Sequence, residues 1–165
     1  MLVKENDPVL KTLCSSVSFH DMDQTARQVL VDKMTAAMIE KNGLGLAASQ
    51  IGVAKRLFIL NVENTIVCCF NPEIVEQSGD TVVDYEGCLS FPDLWLKVDR
   101  STSVVGRYLD IDGELVERKF EGVLARCFLH ELDHVNGVVF VEKVGQVSLA
   151  MAQKRRTKQQ RQNKK

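Results

Sequence analysis

The stretch GVLARCFLHELDHVN, residues 122–136, followed at once by Gly137, decides how this chain reads. After Gly122 it holds no glycine or proline, and it stops at a glycine, so it predicts a helix of about four turns. Inside it lies His130-Glu131-Leu132-Asp133-His134, an H-E-x-x-H pentad. Four residues advance a helix by about 400°, which leaves the two imidazoles roughly 40° apart on one face and one turn apart, as two ligands of one metal require. Glu131 stands beside them, where a carboxylate can hydrogen-bond a water without displacing it from a cation. The rest of the segment is largely apolar, with Val123, Leu124, Cys127, Phe128, Leu132 and Val135. Burying two imidazoles and a carboxylate there without partners costs several kcal/mol, which a metal offsets.

A catalytic metal site needs a third protein ligand and an open position for water. Of the three histidines, the one outside the pentad, His20, lies in a polar stretch where a surface role is expected. The third ligand is therefore a Cys, Asp or Glu. Zinc peptidases commonly draw it from downstream, as a Glu or as the last histidine of H-E-x-x-H-x-x-G-x-x-H. Here Gly137 fits the glycine, but Phe140 stands where that histidine would be, and the one downstream acid, Glu142, falls beyond the predicted helix end. Upstream, Glu86-Gly87-Cys88-Leu89-Ser90 offers a cysteine beside a flexible glycine after a strand-like run, whereas Cys68 and Cys69 lie in an apolar run and read as core. Cys88 is the best placed, although taken alone it would read as a small buried hydrophobe.

Working outward, a first helix is predicted near residues 23–41, with Leu30, Met34, Ala37 and Met38 at helical spacing, Asp21 and Gln24 as a capping box, and Gly43 as its stop. The run GLGLAASQIG, residues 43–52, reads as a loop whose glycines let another chain approach its backbone. From Arg56 to Arg118 come short β-rich runs, RLFIL, TIVCCF, DTVVDY, STSVVGRYL and ELVERKF, the last two joined by the hairpin turn Asp110-Ile111-Asp112-Gly113. They predict a mostly antiparallel sheet.

The chain has 165 residues, 45% hydrophobic and 26% charged, which suits one soluble globular domain and excludes a disordered or fibrous protein. The opening MLVKENDPVLK has no apolar signal region and no segment approaches a membrane span, so the cytosol is the expected compartment, with no membrane partner. Five cysteines without framework spacing read as reduced thiols or ligands. From Gln146 onward there are seven basic residues (Lys154, Arg155, Arg156, Lys158, Arg161, Lys164, Lys165) and no acid, a tail that reads either as a solvated helix end or as a nucleic-acid contact. A monomer is the working expectation.

Three segments together resemble the signature motifs of the peptide deformylase family. They are Gly43-Leu44-Gly45-Leu46-Ala47-Ala48-Ser49-Gln50, Glu86-Gly87-Cys88-Leu89-Ser90, and His130-Glu131-Leu132-Asp133-His134 with Gly137, and their order and separations match over the chain to about residue 145. The resemblance implies an α+β fold in which a mostly antiparallel or mixed sheet packs around a central metal-bearing helix, with an N-terminal helix. Residues 1–145 would form the catalytic domain and 146–165 a basic tail, expected to be helical. It implies hydrolysis of the N-formyl group from the N-terminal formylmethionine of nascent peptides. One divalent metal is implied, natively Fe2+, with Zn2+, Ni2+ or Co2+ as replacements. Carried over by position, Cys88, His130 and His134 are the ligands, Glu131 the acid/base, and Gln50 with the Leu89 backbone N–H the oxyanion holders. Ser49 stands where Pro or Thr is usual, and Leu129 where Gln is usual; neither replaces a ligand.

The peptide backbone is expected to add as a strand beside Gly43, Leu44 and Gly45. Leu44, Tyr85, Leu124 and Cys127 are expected around the methionine side chain, with Trp95 at the entrance. By resemblance, Asp133 should pair with Arg100, with Glu86 sharing the contact, and the tail should reach ribosomal RNA near the peptide exit. Two rivals keep the pentad. A conventional H-E-x-x-H metallopeptidase would cut internal peptide bonds but lacks its downstream ligand, and a non-catalytic, metal-stabilised RNA- or ribosome-binding adaptor would need neither Glu131 nor Gln50.

Overall fold

The computed structural model describes residues 1–162. Helix α1 (Gln24–Glu40) begins at Asp23, whose side chain accepts from the Ala26 N–H at 2.7 Å. The cap is thus Asp23 and not the expected Asp21, because the helix begins at Gln24 and the capping oxygen meets the amide of its third residue. Asp21 instead pairs with the exposed His20 at 3.2 Å. The glycine-rich run expected as a loop contains a three-residue strand, β1 (Gly45–Ala47), and a 3-10 turn, Ala48–Ile51.

Then follow β2 (Leu57–Val62), β3 (Thr65–Gln77), β4 (Thr81–Cys88), β5 (Phe91–Ser101), β6 (Ser103–Leu109), β7 (Leu115–Glu121) and α2 (Gly122–Val135). Glu63 and Asn64 both take positive φ, 52° and 64°, as a two-residue type I′ turn requires, and so close the β2–β3 hairpin. All strand pairs are antiparallel, in one five-stranded sheet of order β1-β2-β3-β6-β7 and a separate hairpin, β4-β5. The α+β architecture expected from the motifs is the one observed.

Strand alternation divides the core. Phe58 and Leu60 of β2 face α2, whereas Leu57 and Ile59 face α1 with Met34, Met38 and Phe70. Phe128 of α2 meets Phe58 edge-on at 5.1 Å and stacks on Phe120 at 5.0 Å. Gly106 of β6 lies against that ring, where any Cβ would overlap it, so only glycine lets the helix settle this close. The β4–β5 hairpin has its own cluster, in which Leu94, Leu96 and Val98 pack with Leu10, Val139, Phe140 and Ala152.

The tail is a helix, α3 (Gln146–Gln162). Ala152 anchors it in the hairpin cluster, and Arg156 to Glu5 (2.8 Å) and Gln160 to Asp93 (3.1 Å) tie its flank. Lys154, Arg155, Lys158 and Arg161 are exposed, while Lys164 and Lys165 lie outside the described residues. Among the described residues no helix is long and apolar enough to cross a membrane.

Candidate metal centre

Helical period and strand end converge on one point. The α2 face carrying Val123, Cys127, His130, Glu131 and His134 turns toward the last residue of β4, Cys88, where a register shift between Gly87 and Cys88 breaks the ladder with β5. The Cys88 Sγ lies 3.2 Å from His134 Nε2, and one donor atom from each of Cys88, His130 and His134 falls within 4.8 Å of the others. All three side chains are buried. The two rings stand 5.1 Å apart at 76°.

The second nitrogen of His130 is already engaged, since Nδ1 donates to Glu86 Oε2 at 3.0 Å, leaving Nε2 for the common point. Burial pushes the Glu86 carboxyl up, but His130 and Arg100 outweigh it and hold it at about 2, so the acceptor stays ionised. Arg100 donates to both Glu86 oxygens (2.8 and 3.1 Å) and to Asp133 (2.6 Å), the expected pair with Glu86 sharing it. Burial keeps His134 well below the ordinary imidazole range, whereas His130, although burial opposes it, is held well above that range by Cys88 and Glu86.

This donor set suits a cation. One sulfur and two imidazole nitrogens match Fe2+, Zn2+ or Co2+, and three protein ligands leave a fourth position open. Among the described residues, two buried polar atoms of this group, His134 Nδ1 and Glu131 Oε2, have no hydrogen-bond partner, and buried polar atoms ordinarily have one. Glu131 is 3% exposed, and burial is the main cause that raises its carboxyl to about 7, against the opposing pull of His130. That value suits a group that must both take and return a proton near neutral pH.

Gln50 is held on both sides. Its Oε1 accepts from the Ala47 N–H at 2.8 Å, and its Nε2 reaches Ser90 Oγ at 3.2 Å and Cys88 Sγ at 3.4 Å, so the amide N–H groups point into the site. Leu89 follows Cys88 directly and lines the same cleft.

The cleft, about 510 Å³, lies between β1 and β4, each with a neighbour strand on one side only. Gly43, Leu44, Gly45, Tyr85, Cys127 and Trp95 line it, together with Val123 and Arg126, which the sequence did not single out. Leu124 does not; it packs against the core with Phe128. Val123, Cys127, His130 and Glu131 are spaced by four, seven and eight residues on one face. By helical period Leu124 falls only about 20° beyond Glu131, so the spacing alone does not exclude it from the cleft.

Comparison with known proteins agrees with this geometry. The family model for polypeptide deformylase matches residues 1–149. A peptide deformylase from Thermotoga neapolitana is 39% identical over 149 residues, covering 90% of this chain and 89% of that protein. Among solved structures, a peptide deformylase from Legionella pneumophila superposes with a TM-score of 0.89 at 33% identity, over 100% of this chain and 97% of its own. A Met-Ala-Ser-bound class I type b peptide deformylase from Acinetobacter baumannii gives 0.82 at 37% identity, over 87% and 97%. With three ligands, a buried carboxylate and a glycine-edged cleft in one place, and relatives matched over most of their length, the chain belongs to the peptide deformylase family.

Proposed function

We propose that this chain removes the formyl group from the N-terminal formylmethionine of newly made polypeptides, with Glu131 as acid/base and Gln50 and the Leu89 N–H as oxyanion donors. The supporting observation is the clustering of Cys88, His130 and His134, with Glu131 lining the same cleft as Cys88 and His130. Cys88, His130 and His134 would hold a divalent cation, natively Fe2+ in this reading, which would supply Lewis acidity and make water acidic enough to lose a proton near neutral pH. Hydrolysis adds water across the formyl C–N bond, with oxygen joining carbon and hydrogen joining nitrogen. Glu131 takes a proton from the attacking water and returns it to the departing amine, and its raised pKa serves both steps. As the carbonyl oxygen gains charge, Gln50 Nε2 and the Leu89 amide stabilise it, and each such donor is worth ~2.7–4 kcal/mol.

The peptide lies extended between residues 43–45 and strand β4, which border the cleft on opposite sides and whose backbones can donate and accept. Both strands run toward the metal ligands, so the formyl end sits at Cys88 and Gln50 and later residues pass Tyr85 and Trp95. The methionine side chain rests against Leu44, Cys127, Tyr85 and Val123. The bound Met-Ala-Ser of the Acinetobacter baumannii relative supports this substrate class. The decisive experiment is formate release from formyl-Met-Ala-Ser by protein purified without oxygen. Glu131→Gln should retain metal and lose ~100-fold or more of the rate; unchanged formate release by that variant would remove Glu131 from the mechanism.

A second role fits residues 146–165, read as an element appended to the catalytic domain 1–145. Lys154, Lys158 and Arg161 repeat at helical spacing along one shallow exposed face of α3, which suits ribosomal RNA by charge alone. Cosedimentation with ribosomes should fall steeply with salt and vanish on deleting residues 146–165, and binding indifferent to that deletion would end the idea. The protein acts as a monomer in this reading.

A further inference from the structure

The three ligands come from two elements that share neither a sheet nor a buried apolar cluster. Cys88 ends β4, and among the described residues the β4–β5 hairpin pairs with no other strand. Its buried face packs with Leu10, Val139, Phe140 and Ala152, whereas the apolar side of α2, the helix of both histidines, packs with Phe58 and Phe120. Apolar contacts are non-directional. A metal site needs its donors held to within ~0.5 Å, which calls for locked side chains and outer hydrogen bonds.

Arg126 supplies that lock. It sits on α2, buried, one turn before His130. Its Nη2 donates to the Val82 carbonyl at 2.6 Å, and its Nη1 to the Val98 carbonyl at 2.8 Å, to Glu86 Oε1 at 3.0 Å and, at longer range, to the Asp84 carbonyl at 3.4 Å. The other Glu86 oxygen is the one that accepts from His130 Nδ1. One planar group on the helix therefore grips the backbone of both hairpin strands and also the carboxylate that orients a ligand. Arg100 runs the other way, from β5 to Asp133 and Glu86, but its side-chain bonds all go to carboxylates. Among the described residues, Arg126 is the side chain that ties the main chain of the Cys88 hairpin to the histidine helix.

We infer that Arg126 is a positioning residue of the metal centre, setting where β4 presents Cys88 relative to His130 and His134 and thereby the affinity of the site for a divalent cation. The inference rests on the three-ligand reading of the site and is independent of deformylation. A lysine keeps the charge but cannot span the hairpin carbonyls and Glu86 together, because it lacks the planar fork.

The test is Co2+ and Zn2+ affinity of the full chain against a competing chelator, with the thiolate-to-cobalt absorption recorded. Arg126→Ala and Arg126→Lys should each weaken binding by ~10–100-fold and alter that absorption at unchanged far-UV circular dichroism. Added methylguanidinium should restore affinity to Arg126→Ala. A side chain that merely stabilises the fold would lower Tm and leave the affinity of folded protein where it was. Folded variants that bind Co2+ within about twofold of the unsubstituted chain, with the same spectrum, overturn the inference. Should Arg126→Ala aggregate, Arg126→Lys decides by the same criterion. An unsubstituted chain that shows no thiolate absorption with Co2+ sinks the three-ligand site and this inference together, whereas unchanged variants sink the inference alone.

Discussion

Replacing Gly45 by alanine tests how closely Glu131 must be placed. A Cβ at position 45 would stand 2.7 Å from Glu131 Oε1, 2.9 Å from its Cγ and 2.8 Å from Cys127 Sγ. Ordinary contact is ~3.5 Å, so the carboxylate must retreat by roughly 0.8 Å. Gly45 is not in the left-handed region, so alanine adds no backbone strain there. Overpacking costs the fold ~1–3 kcal/mol. Misplacing a catalytic group by about 1 Å costs ~100-fold, so the rate should fall by ~30- to 100-fold, equivalent to ~2–2.7 kcal/mol of barrier. None of the three ligands is among the atoms touched, and metal content should stay stoichiometric. The assay is kcat/KM for formate release from formyl-Met-Ala-Ser, with Gly79→Ala, which meets nothing within 4 Å, as the control. A fully metallated Gly45→Ala protein within about threefold of the unsubstituted chain would refute the placement of Glu131 as rate-determining.

Other outcomes follow from the same geometry. Arg100→Met strips the buried Glu86 and the half-buried Asp133 of a shared cation and should destabilise the fold by ~3–5 kcal/mol in urea titrations; a loss below ~1 kcal/mol would show the network is redundant. Burial raises the Cys68 thiol from 9.0 to about 11 and the Tyr108 hydroxyl from 10.0 to about 12. Both groups are neutral acids held protonated by the fold, so the unfolded chain releases their protons first. Their stabilisation is complete below pH 9 and is lost as pH rises through 11 for the thiol, and between pH 10 and 12 for the phenol. The alkaline fall in Tm should be shallower in a Cys68→Ala, Tyr108→Phe double variant, and an identical slope would contradict the assignment. Removing the cation with a chelator should lower stability by ~2.7 kcal/mol relative to protein at a cation concentration ~100 times Kd, and a Tm indifferent to chelation would mean that the site holds no metal.

The sequence carried the site more fully than the strands. Two histidines four apart on a helix need only that helix in order to meet, and Cys88 was separated from Cys68 and Cys69 by its glycine and its place after a strand. The Glu86 and Arg126 contacts depend on where the hairpin docks, which no local pattern states. Strand β5 escaped notice although Leu94, Leu96, Val98 and Arg100 alternate inward. A buried arginine and an exposed Trp95 reverse the usual polarity of that alternation, and Pro92 argues against a strand until its solvent-facing position is known. In β1, three residues are too few for any period, and the strand exists because Leu60, Ile59 and Phe58 pair with it.

The open edges of β1 and β4 also bear on which molecules gain entry. An unpaired strand edge invites other proteins to stack upon it, yet Leu46 and Ala47 of β1 are wholly shielded from solvent. Groups so covered are out of reach of another folded sheet. Because main-chain groups are common to every polypeptide, the proposed slot would be indifferent to most of what it is fed, and discrimination would fall to the end near Cys88 and Gln50, where a threaded peptide must begin.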